Sequence, residues 1–259
     1  MSDMNDNKKT AIITGASAGL GIEFFKAVDS TCDDISEIWV IARRLDRLQS
    51  LRSEHGKTVV PISCDLTDDD ALVSLQKIMA ERKPNVALLI NNAGFGRLGD
   101  VAELDMLQQK QMIALNCGGL TAVTAMTLKY MQKGSTIINV SSIASFQPNP
   151  RMTVYSSTKA FVSSFTDGLR YELKGRGINV FAVCPGPMET EFLPVAGISK
   201  GASKQFDTLP RCNATEVAMK SVRYARKGRH SYTNKFLFKL YRVLAKLLPH
   251  RITISWGKC

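Results

Sequence analysis

The sequence has few of the residues that build metal centres and disulfide frameworks. Its 259 residues include six cysteines and three histidines. The cysteines stand at positions 32, 64, 117, 184, 212 and 259, with no C-x-x-C pair and no histidine close to any of them. We therefore expect no metal site and no disulfide framework, and predict reduced thiols that pack in the core. A catalytic cysteine would need a partner histidine, and nothing in the sequence positions one.

The chain also lacks features that would divide it or direct it for secretion. Residues 1–9 are polar and contain no apolar stretch of the kind that a secretory signal requires. No repeat, low-complexity tract or interdomain linker is visible. With 44% hydrophobic and 22% charged residues the composition is typical of a globular protein. We expect a single domain over residues 1–259, located in the cytoplasm.

Short apolar runs alternate with helical patterns along most of the chain. The runs are Lys9–Thr14, Ile38–Ala42, Thr58–Ile62, Val86–Ile90, Thr136–Ser141 and Ile178–Cys184. Apolar strands joined by helices predict an α/β fold, a single Rossmann-type, doubly wound parallel sheet with helices on both faces. Such sheets bind ligands at the carboxyl ends of their strands, where most of the polar motifs of this sequence fall.

A glycine-rich turn follows the first predicted strand. Residues 14–21 read T-G-A-S-A-G-L-G, and a predicted helix occupies Leu20–Ser30. Glycine tolerates positive φ, and the free N–H groups of a helix N-terminus attract phosphate. The glycines at 15, 19 and 21 differ in spacing from the common G-x-G-x-x-G, and turns collect glycine for many reasons. The turn alone therefore does not establish a phosphate site, and other motifs are needed.

Tyr155 and Lys159 lie four residues apart, and Ser142 lies thirteen before the tyrosine. One helical turn places the first two on the same face. An ammonium beside a phenol favours the ionised phenol, so we predict a lowered pKa for Tyr155. A lone tyrosine or serine is usually structural, but these residues occur together with the glycine turn. Together they predict proton transfer by Tyr155.

These motifs resemble those of the short-chain dehydrogenase/reductases over about Lys9 to Ala225. The matching motifs, in order, are residues 14–21, Asn91-Asn92-Ala93-Gly94, Asn116, Ser142, Tyr155 to Lys159, and Pro185-Gly186 with Thr190. The resemblance implies a catalytic tetrad of Asn116, Ser142, Tyr155 and Lys159, and a nicotinamide dinucleotide cofactor. It also implies that Asn116, in a predicted helix over Asp105–Tyr130, holds a water that supplies protons to Lys159.

The residue types indicate a mechanism for carbonyl reduction. Tyr155 would give its proton to the carbonyl oxygen, and Ser142 would donate a hydrogen bond to the developing oxyanion. Lys159 would lower the pKa of the tyrosine and bind the nicotinamide ribose. Reversal gives alcohol oxidation with the same groups.

The end of the second strand indicates the form of the cofactor. An NAD-specific site needs a carboxylate there, whereas the 2′-phosphate of NADP(H) needs cations. This strand ends in Arg43 and Arg44, with no acidic residue before Asp46. A guanidinium matches a phosphate geometrically, so we predict NADP(H), with Ser17 adding a hydroxyl contact. The alternative is that both arginines merely begin the next helix in solvent.

The full predicted cofactor site follows from these motifs and the resemblance. It comprises Gly15, Ser17, Gly19, Leu20, Gly21, Arg43, Arg44, Asp65, Leu66, Asn92, Ala93, Gly94, Tyr155, Lys159, Pro185, Gly186 and Thr190. By resemblance, Asp65 and Leu66 would hold the adenine, and Asn92 to Gly94 would lie against the cofactor.

The segment 187–213 is expected to choose the substrate, since in this family it closes over the substrate site. Its apolar residues are Phe192, Leu193, Val195, Ile198 and Phe206. They predict a hydrophobic carbonyl or alcohol, lipid-like or steroid-like; alternatively they pack on the scaffold. Lids of this kind are generally the mobile part of a site.

The positive charge is concentrated at the C-terminus. Residues 211–259 hold 12 Lys+Arg and 1 Asp+Glu, so the whole net charge of +11 lies there. A basic amphipathic helix is predicted over 234–248, with Lys235, Lys239, Arg242 and Lys246 in one stripe. Most of the remaining positions are apolar, namely Phe236, Leu237, Leu240, Leu244, Leu247 and Leu248.

Three interpretations of this helix stay open. It is a peripheral contact with anionic lipid at the inner membrane surface, or a helix that covers the pocket or a dimer partner, or a nucleic-acid contact. It is too short and too charged to span a bilayer. Nucleic acid is disfavoured because no binding motif or aromatic platform accompanies the charge.

A different class of function competes with catalysis. The chain would then be an NADP-binding regulatory or membrane-scaffold protein that keeps the fold without turnover. The intact tetrad argues against it. The family commonly pairs the helices near Asn116 and Tyr155, so a homodimer or homotetramer is expected.

Overall fold

Seven strands form one sheet in the computed structural model, which describes residues 8–198, 201 and 207–254. The strands are β1 (Lys9–Thr14), β2 (Ile35–Ala42), β3 (Thr58–Ser63), β4 (Asn85–Asn91), β5 (Met131–Val140), β6 (Asn179–Val183) and β7 (Ser231–Tyr232). Their order is β3-β2-β1-β4-β5-β6-β7, and every pairing is parallel. The chain reverses its direction of travel between β1 and β4, which opens a crevice at their carboxyl ends.

Helices cover both faces of the sheet. They are α1 (Gly19–Thr31), α2 (Leu45–Gln49), α3 (Asp69–Arg82), α4 (Met106–Ile113), α5 (Leu120–Thr127), α6 (Thr153–Leu173), α7 (Phe192–Val195), α8 (Ala214–Arg226), α9 (Phe236–Leu247) and α10 (His250–Thr253). Phe24 of α1 and Val217 of α8 belong to the core on one face. Leu75 of α3 and Leu169 of α6 belong to the core on the other. The predicted doubly wound α/β fold is confirmed.

The helix predicted over Asp105–Tyr130 is interrupted by a π-helical turn at Ala114–Gly119, between α4 and α5. By length and composition alone, the run Met106–Tyr130 is long and apolar enough to cross a membrane. Met112 and Val123 of this run are fully buried within the fold. We therefore interpret it as a helical run that packs one face into the protein core. The turn carries Asn116, and π-helical turns often occur at functional sites.

The sheet also departs from the prediction at one edge and at the start of two strands, of which β2 begins at Ile35, three residues before its predicted start. β5 begins at Met131, five residues before the predicted start. β7 was not predicted, because Ser231–Tyr232 is two residues long and only partly buried. It pairs with Ala182 and Val183 of β6. The C-terminal segment, residues 233–254, therefore begins beside the sheet.

Candidate active site

Hydrogen bonds join the loop after β1 to the loop after β4, and we call the two loops together the cradle. Asn92 Nδ2 donates to the carbonyls of Thr14 and Gly15 at 3.1 and 3.2 Å. Gly15 has φ +66°, and a Cβ there would lie 2.8 Å from Ala93 Cα. A Cβ on Gly21 would lie 2.0 Å from the Gly15 carbonyl oxygen. The cradle therefore requires bare backbone, as the approach of a diphosphate also does.

Hydroxyl contacts hold α6 against the end of β5. Ser141 Oγ donates to the Lys159 carbonyl at 2.9 Å and lies 2.8 Å from Ser163 Oγ. This contact fixes the position of α6 beside Ser142, the residue after Ser141. Tyr155 and Ser142 form a side-chain hydrogen bond. Three predicted catalytic residues, Ser142, Tyr155 and Lys159, are thus brought together.

Burial dominates the electrostatics of this group. It raises the pKa of Tyr155 to about 12, against the hydrogen bond with Ser142. It lowers the pKa of Lys159 to about 8. Lys159 Nζ donates to the Val140 carbonyl at 2.9 Å and lies 5.8 Å from the centre of the Tyr155 ring. The lowered pKa that the sequence predicted for Tyr155 is therefore not found, because desolvation of the buried phenol outweighs the hydrogen bond with Ser142.

Asn116 links the loop after β4 to α6 by hydrogen bonds of its side chain. Its Nδ2 donates to the Phe95 carbonyl at 2.9 Å and to Thr158 Oγ1 at 3.0 Å, and its Oδ1 accepts from the Phe95 N–H at 3.0 Å. A Cβ on Gly94 would lie 2.8 Å from Asn116 Oδ1 and 3.3 Å from Lys159 Nζ. Asn116 therefore lies near the lysine, with its side chain engaged elsewhere. Its water-holding role stays a prediction.

A cavity of about 770 Å³ runs along the carboxyl ends of the strands. The predicted residues that line it are Gly15, Ser17, Leu20, Arg43, Arg44, Asp65, Leu66, Asn92, Ala93, Gly94, Ser142, Tyr155, Lys159, Pro185, Gly186 and Thr190. Gly19, Gly21 and Asn116 do not line it. Gly19 faces the side chain of Thr190, and Gly21 faces the backbone of Gly15.

The two predicted arginines lie at the rim of this cavity. Arg44 Nη2 donates to Ser17 Oγ at 3.3 Å, so the predicted hydroxyl partner is in contact. Arg43 is mostly exposed, with its Nη1 3.9 Å from Asp65 Oδ2. Sequence reasoning missed Arg47, which does not line the cavity but whose Nη1 lies 2.7 Å from Oε1 of Glu191, a residue that does.

The segment after Pro187 covers the tyrosine with apolar side chains. The rings of Phe192 and Tyr155 lie 5.5 Å apart between centres. Leu193 and Ile198 belong to a small core cluster with Tyr155. Phe192, Leu193 and Val195 also line the cavity, so this segment both packs on the scaffold and shapes the pocket. Phe206 lies outside the described residues.

The C-terminal segment forms part of the cavity wall, as one of the open interpretations predicted. Gly186 donates its N–H to Asn234 Oδ1 at 3.3 Å. A Cβ on Gly186 would lie 2.2 Å from Cε2 of Phe238, which is buried. Leu237, Phe238 and Tyr241 line the cavity. Sequence reasoning missed Asn234 and Phe238, since neither lies in a motif.

The basic stripe of α9 is shorter than predicted. Arg242 turns inward, where it donates to Ser231 Oγ at 2.7 Å and lies 5.6 Å from the centre of the Phe146 ring. It is therefore not a member of the exposed stripe, because an aromatic ring and a hydroxyl of the fold hold it. Lys235, Lys239 and Lys246 are exposed. Five apolar residues of α9 are also exposed: Leu237 borders the cavity, and Phe236, Leu240, Val243 and Leu247 form the outer face.

Comparison with known proteins assigns the family. The model of the short chain dehydrogenase family matches residues 9–197. The chain belongs to the short-chain dehydrogenase/reductase family and is an oxidoreductase. A probable NADP-dependent dehydrogenase of Haemophilus influenzae is 34% identical over 215 residues, which cover 81% of this chain and 84% of the relative.

One further relative and one solved structure are similar over most of the chain. Serine 3-dehydrogenase of Agrobacterium fabrum is 33% identical over 190 residues, covering 71% of this chain and 73% of the relative. The structure of a short-chain dehydrogenase from Sphingobium yanoikuyae in complex with NADPH matches with a TM-score of 0.76 at 27% identity. That match covers 93% of this chain and 96% of the other.

Proposed function

We propose that the protein interconverts a hydrophobic ketone or aldehyde and its alcohol, with Tyr155 as general acid and base. The observation that carries this proposal is a buried Tyr155 hydroxyl that is bonded to Ser142 and faces a largely apolar cavity. Lys159 lies beside it on the same helix face. A carbonyl compound bound in this cavity would thus contact Tyr155 as its proton donor.

The cofactor is NADP(H), and this enzyme is an NADP-dependent dehydrogenase/reductase acting on CH–OH groups. The Haemophilus relative is NADP-dependent by name, and the Sphingobium structure contains NADPH. The site fits the group, since Gly15, Ser17 and Ala18 line the cavity just before the N-terminus of α1, where a diphosphate would find free N–H groups, and Arg44 with Ser17 offers donors for a 2′-phosphate. When bound, this cofactor supplies or accepts the hydride.

The remaining chemistry belongs to side chains of this chain. With a pKa of about 12, Tyr155 carries its proton at neutral pH and gives it to the carbonyl oxygen during reduction. Ser142 donates a hydrogen bond to the same oxygen as negative charge develops there. The charged Lys159 stabilises the phenolate that results. Asn116 positions α6 through Thr158 and the loop through Phe95.

The substrate side of the cavity favours an apolar compound. Phe192, Leu193 and Val195 line it from α7, and Leu237 and Phe238 line it from α9. A lipid-like or steroid-like carbonyl compound would bury apolar surface against these residues.

A second candidate substrate class is a hydroxy acid. Arg97 lines the cavity; its Nη1 donates to the Val195 carbonyl, and its buried Nε has no hydrogen-bond partner among the described residues. A guanidinium in that position would pair with a substrate carboxylate. The name of the Agrobacterium relative, serine 3-dehydrogenase, agrees with this class. Faster turnover of a 3-oxo acid than of an uncharged ketone of equal size would favour this candidate.

Replacement of Tyr155 by phenylalanine tests the proposal directly. The ring stays and the proton donor is lost, so kcat/KM for carbonyl reduction should fall by about 10²–10⁴. NADPH affinity, followed by fluorescence titration, should stay within about twofold, since the change removes no charge. Tyr171→Phe is the matched control, because Tyr171 lies on the same helix and is 83% exposed. Retention of more than about a tenth of the activity by Tyr155→Phe would refute the proton-donor role.

We further propose that the outer face of α9 contacts anionic lipid, as a peripheral association of a cytoplasmic protein. The exposed side chains Phe236, Leu240, Val243 and Leu247 recur at helical spacing, and three exposed lysines border them. An apolar stripe with a basic border matches an anionic bilayer surface in both respects. The inner face packs on the protein, so a membrane contact would leave the cavity wall in place.

A homodimer or homotetramer is the proposed assembly. Met106, Leu107 and Ile113 of α4 are more than half exposed, and Phe161 of α6 is 41% exposed. α4 and α6 pack against each other, and exposed apolar side chains on such a pair of helices are typical of a subunit interface. This agrees with the helix pairing implied by the family resemblance.

A further inference from the structure

A carboxylate from the substrate-side segment contacts the arginines of the proposed phosphate site. Glu191 Oε1 lies 2.7 Å from Arg47 Nη1, and its Oε2 lies 3.5 Å from Arg44 Nη2. The same Arg44 nitrogen donates to Ser17 Oγ. Glu191 thus joins α2 and the glycine loop to a segment 144 to 147 residues further along the chain.

This contact reduces the net positive charge that the arginines present to a ligand. The hydrogen bond from Arg47 holds the pKa of Glu191 below its ordinary value, so the carboxylate is ionised at neutral pH. Asp65 Oδ2 lies 3.9 Å from Arg43 Nη1, so its negative charge partly offsets the positive charge of that arginine. Three arginines therefore face two carboxylates. A 2′-phosphate bound to these arginines, with about −1.5 to −2 charges at pH 7, would be repelled by the Glu191 carboxylate.

We propose that Glu191 competes with the 2′-phosphate of NADP(H) for Arg44 and Arg47, and so sets the strength of cofactor discrimination. Arg47 becomes a third cation of the phosphate site, beside Arg43 and Arg44. This inference rests on the proposed location of the 2′-phosphate at Arg44 and Ser17. It goes beyond that location by naming the group that the phosphate must displace.

The position of Glu191 connects the two halves of the cavity. Its carbonyl accepts from the Val195 N–H at 3.3 Å, so Glu191 closes the first turn of α7. The next residue is Phe192, whose ring packs on Tyr155. Displacement of the Glu191 carboxylate therefore acts on the segment that contacts the catalytic tyrosine. We therefore expect a bound 2′-phosphate to loosen the segment that packs on Tyr155.

The chain offers a matched control for this proposal. Glu189 lies two residues before Glu191, is 72% exposed in its side chain, and pairs with Arg211 at 2.9 Å. Glu189→Gln removes the same charge from the same segment without touching Arg44 or Arg47. Any effect of Glu191→Gln that Glu189→Gln does not share belongs to the Glu191 contact.

The test measures binding of 2′,5′-ADP and 5′-AMP by calorimetry at constant ionic strength. These probes differ in the 2′-phosphate and need no turnover. Glu191→Gln should tighten 2′,5′-ADP binding by about three- to tenfold and leave 5′-AMP within about twofold, while Glu189→Gln should change neither. Arg47→Gln should weaken 2′,5′-ADP alone. In the Arg47→Gln background, the gain from Glu191→Gln should shrink, because the two residues interact.

Hydrogen exchange provides the second measurement. In the wild type, 2′,5′-ADP should speed amide exchange in residues 192–198 relative to 5′-AMP, and in Glu191→Gln the two ligands should give the same exchange. Unchanged or weaker 2′,5′-ADP binding by Glu191→Gln would overturn the proposal, as would an equal gain in Glu189→Gln. A wild type that binds both probes equally would instead refute the phosphate site itself. The two failures are therefore distinguishable.

Discussion

Tyr155 and Lys159 change protonation over different pH ranges. Their burial moves the pKa of the phenol up and that of the ammonium down. Between about pH 8 and 12 the two groups are therefore both uncharged. Below that range the site holds a neutral phenol beside a cation, the state that a carbonyl reduction needs.

The pH profile of reduction follows from these values. We expect kcat/KM to be nearly constant below pH 8 and to fall as pH rises through about 8, since Lys159 then loses its charge while Tyr155 keeps its proton. Steady-state rates at constant ionic strength would show this fall. A profile that stays constant to pH 10, or rises, would contradict the assignment of a charged Lys159 to the mechanism.

The arginines at the cavity rim should govern the choice between NADPH and NADH. Arg44→Ala removes a charge-assisted contact worth about 1.5–3 kcal/mol, so NADPH affinity should fall about ten- to a hundredfold with little change for NADH. Arg43→Ala should have a smaller effect, because Arg43 is 75% exposed in its side chain. Arg52→Ala, an exposed arginine outside the cavity lining, is the control. Equal losses for the two cofactors in Arg44→Ala would remove the 2′-phosphate argument.

At the scale of elements, α9 serves two surfaces at once. Its inner face places Phe238 against Gly186, and its outer face exposes apolar side chains with lysines beside them. The periodicity of the sequence predicted the helix but not which face is buried. Phe238 and Ala245 are the buried members, and neither belongs to the predicted apolar set.

Removal of the exposed lysines of α9 tests the membrane contact. Replacing Lys235, Lys239 and Lys246 with glutamine should weaken binding to anionic liposomes by about 1 kcal/mol for each residue. Binding by the wild type should also weaken as salt rises, since the attraction is screened within about 8–10 Å. A sedimentation assay measures both effects.

The control for that assay is an equal loss of charge elsewhere. Lys77, Lys174 and Lys227 are exposed and lie outside α9, so their replacement with glutamine should leave liposome binding within about twofold. A wild-type protein that stays wholly in the supernatant at low salt would exclude the membrane contact. The outer face would then be left for another partner, such as a second subunit.

At the scale of the whole molecule, the sequence predicted what is local and missed what is distant. The glycine turn and the Tyr155–Lys159 pair are short motifs whose spacing specifies geometry, so both could be placed on a parallel sheet. The contacts of Glu191 with Arg47 and of Phe238 with Gly186 join residues far apart in the chain. No periodicity encodes such pairs. The pKa of Tyr155 was mispredicted for the same reason, since the degree of burial depends on the packing of several elements.

The main proposal is that this protein reduces a carbonyl compound with NADPH in this cavity. Its most direct test is NADPH oxidation by the wild-type protein across a panel of hydrophobic ketones, steroids and 3-oxo acids, with the alcohol product identified by mass spectrometry. We predict steady turnover with at least one uncharged hydrophobic ketone, with one alcohol formed for each NADPH oxidised, and much slower turnover with NADH. Tight NADPH binding without consumption of any carbonyl compound in the panel would contradict the account and favour a binding protein without turnover.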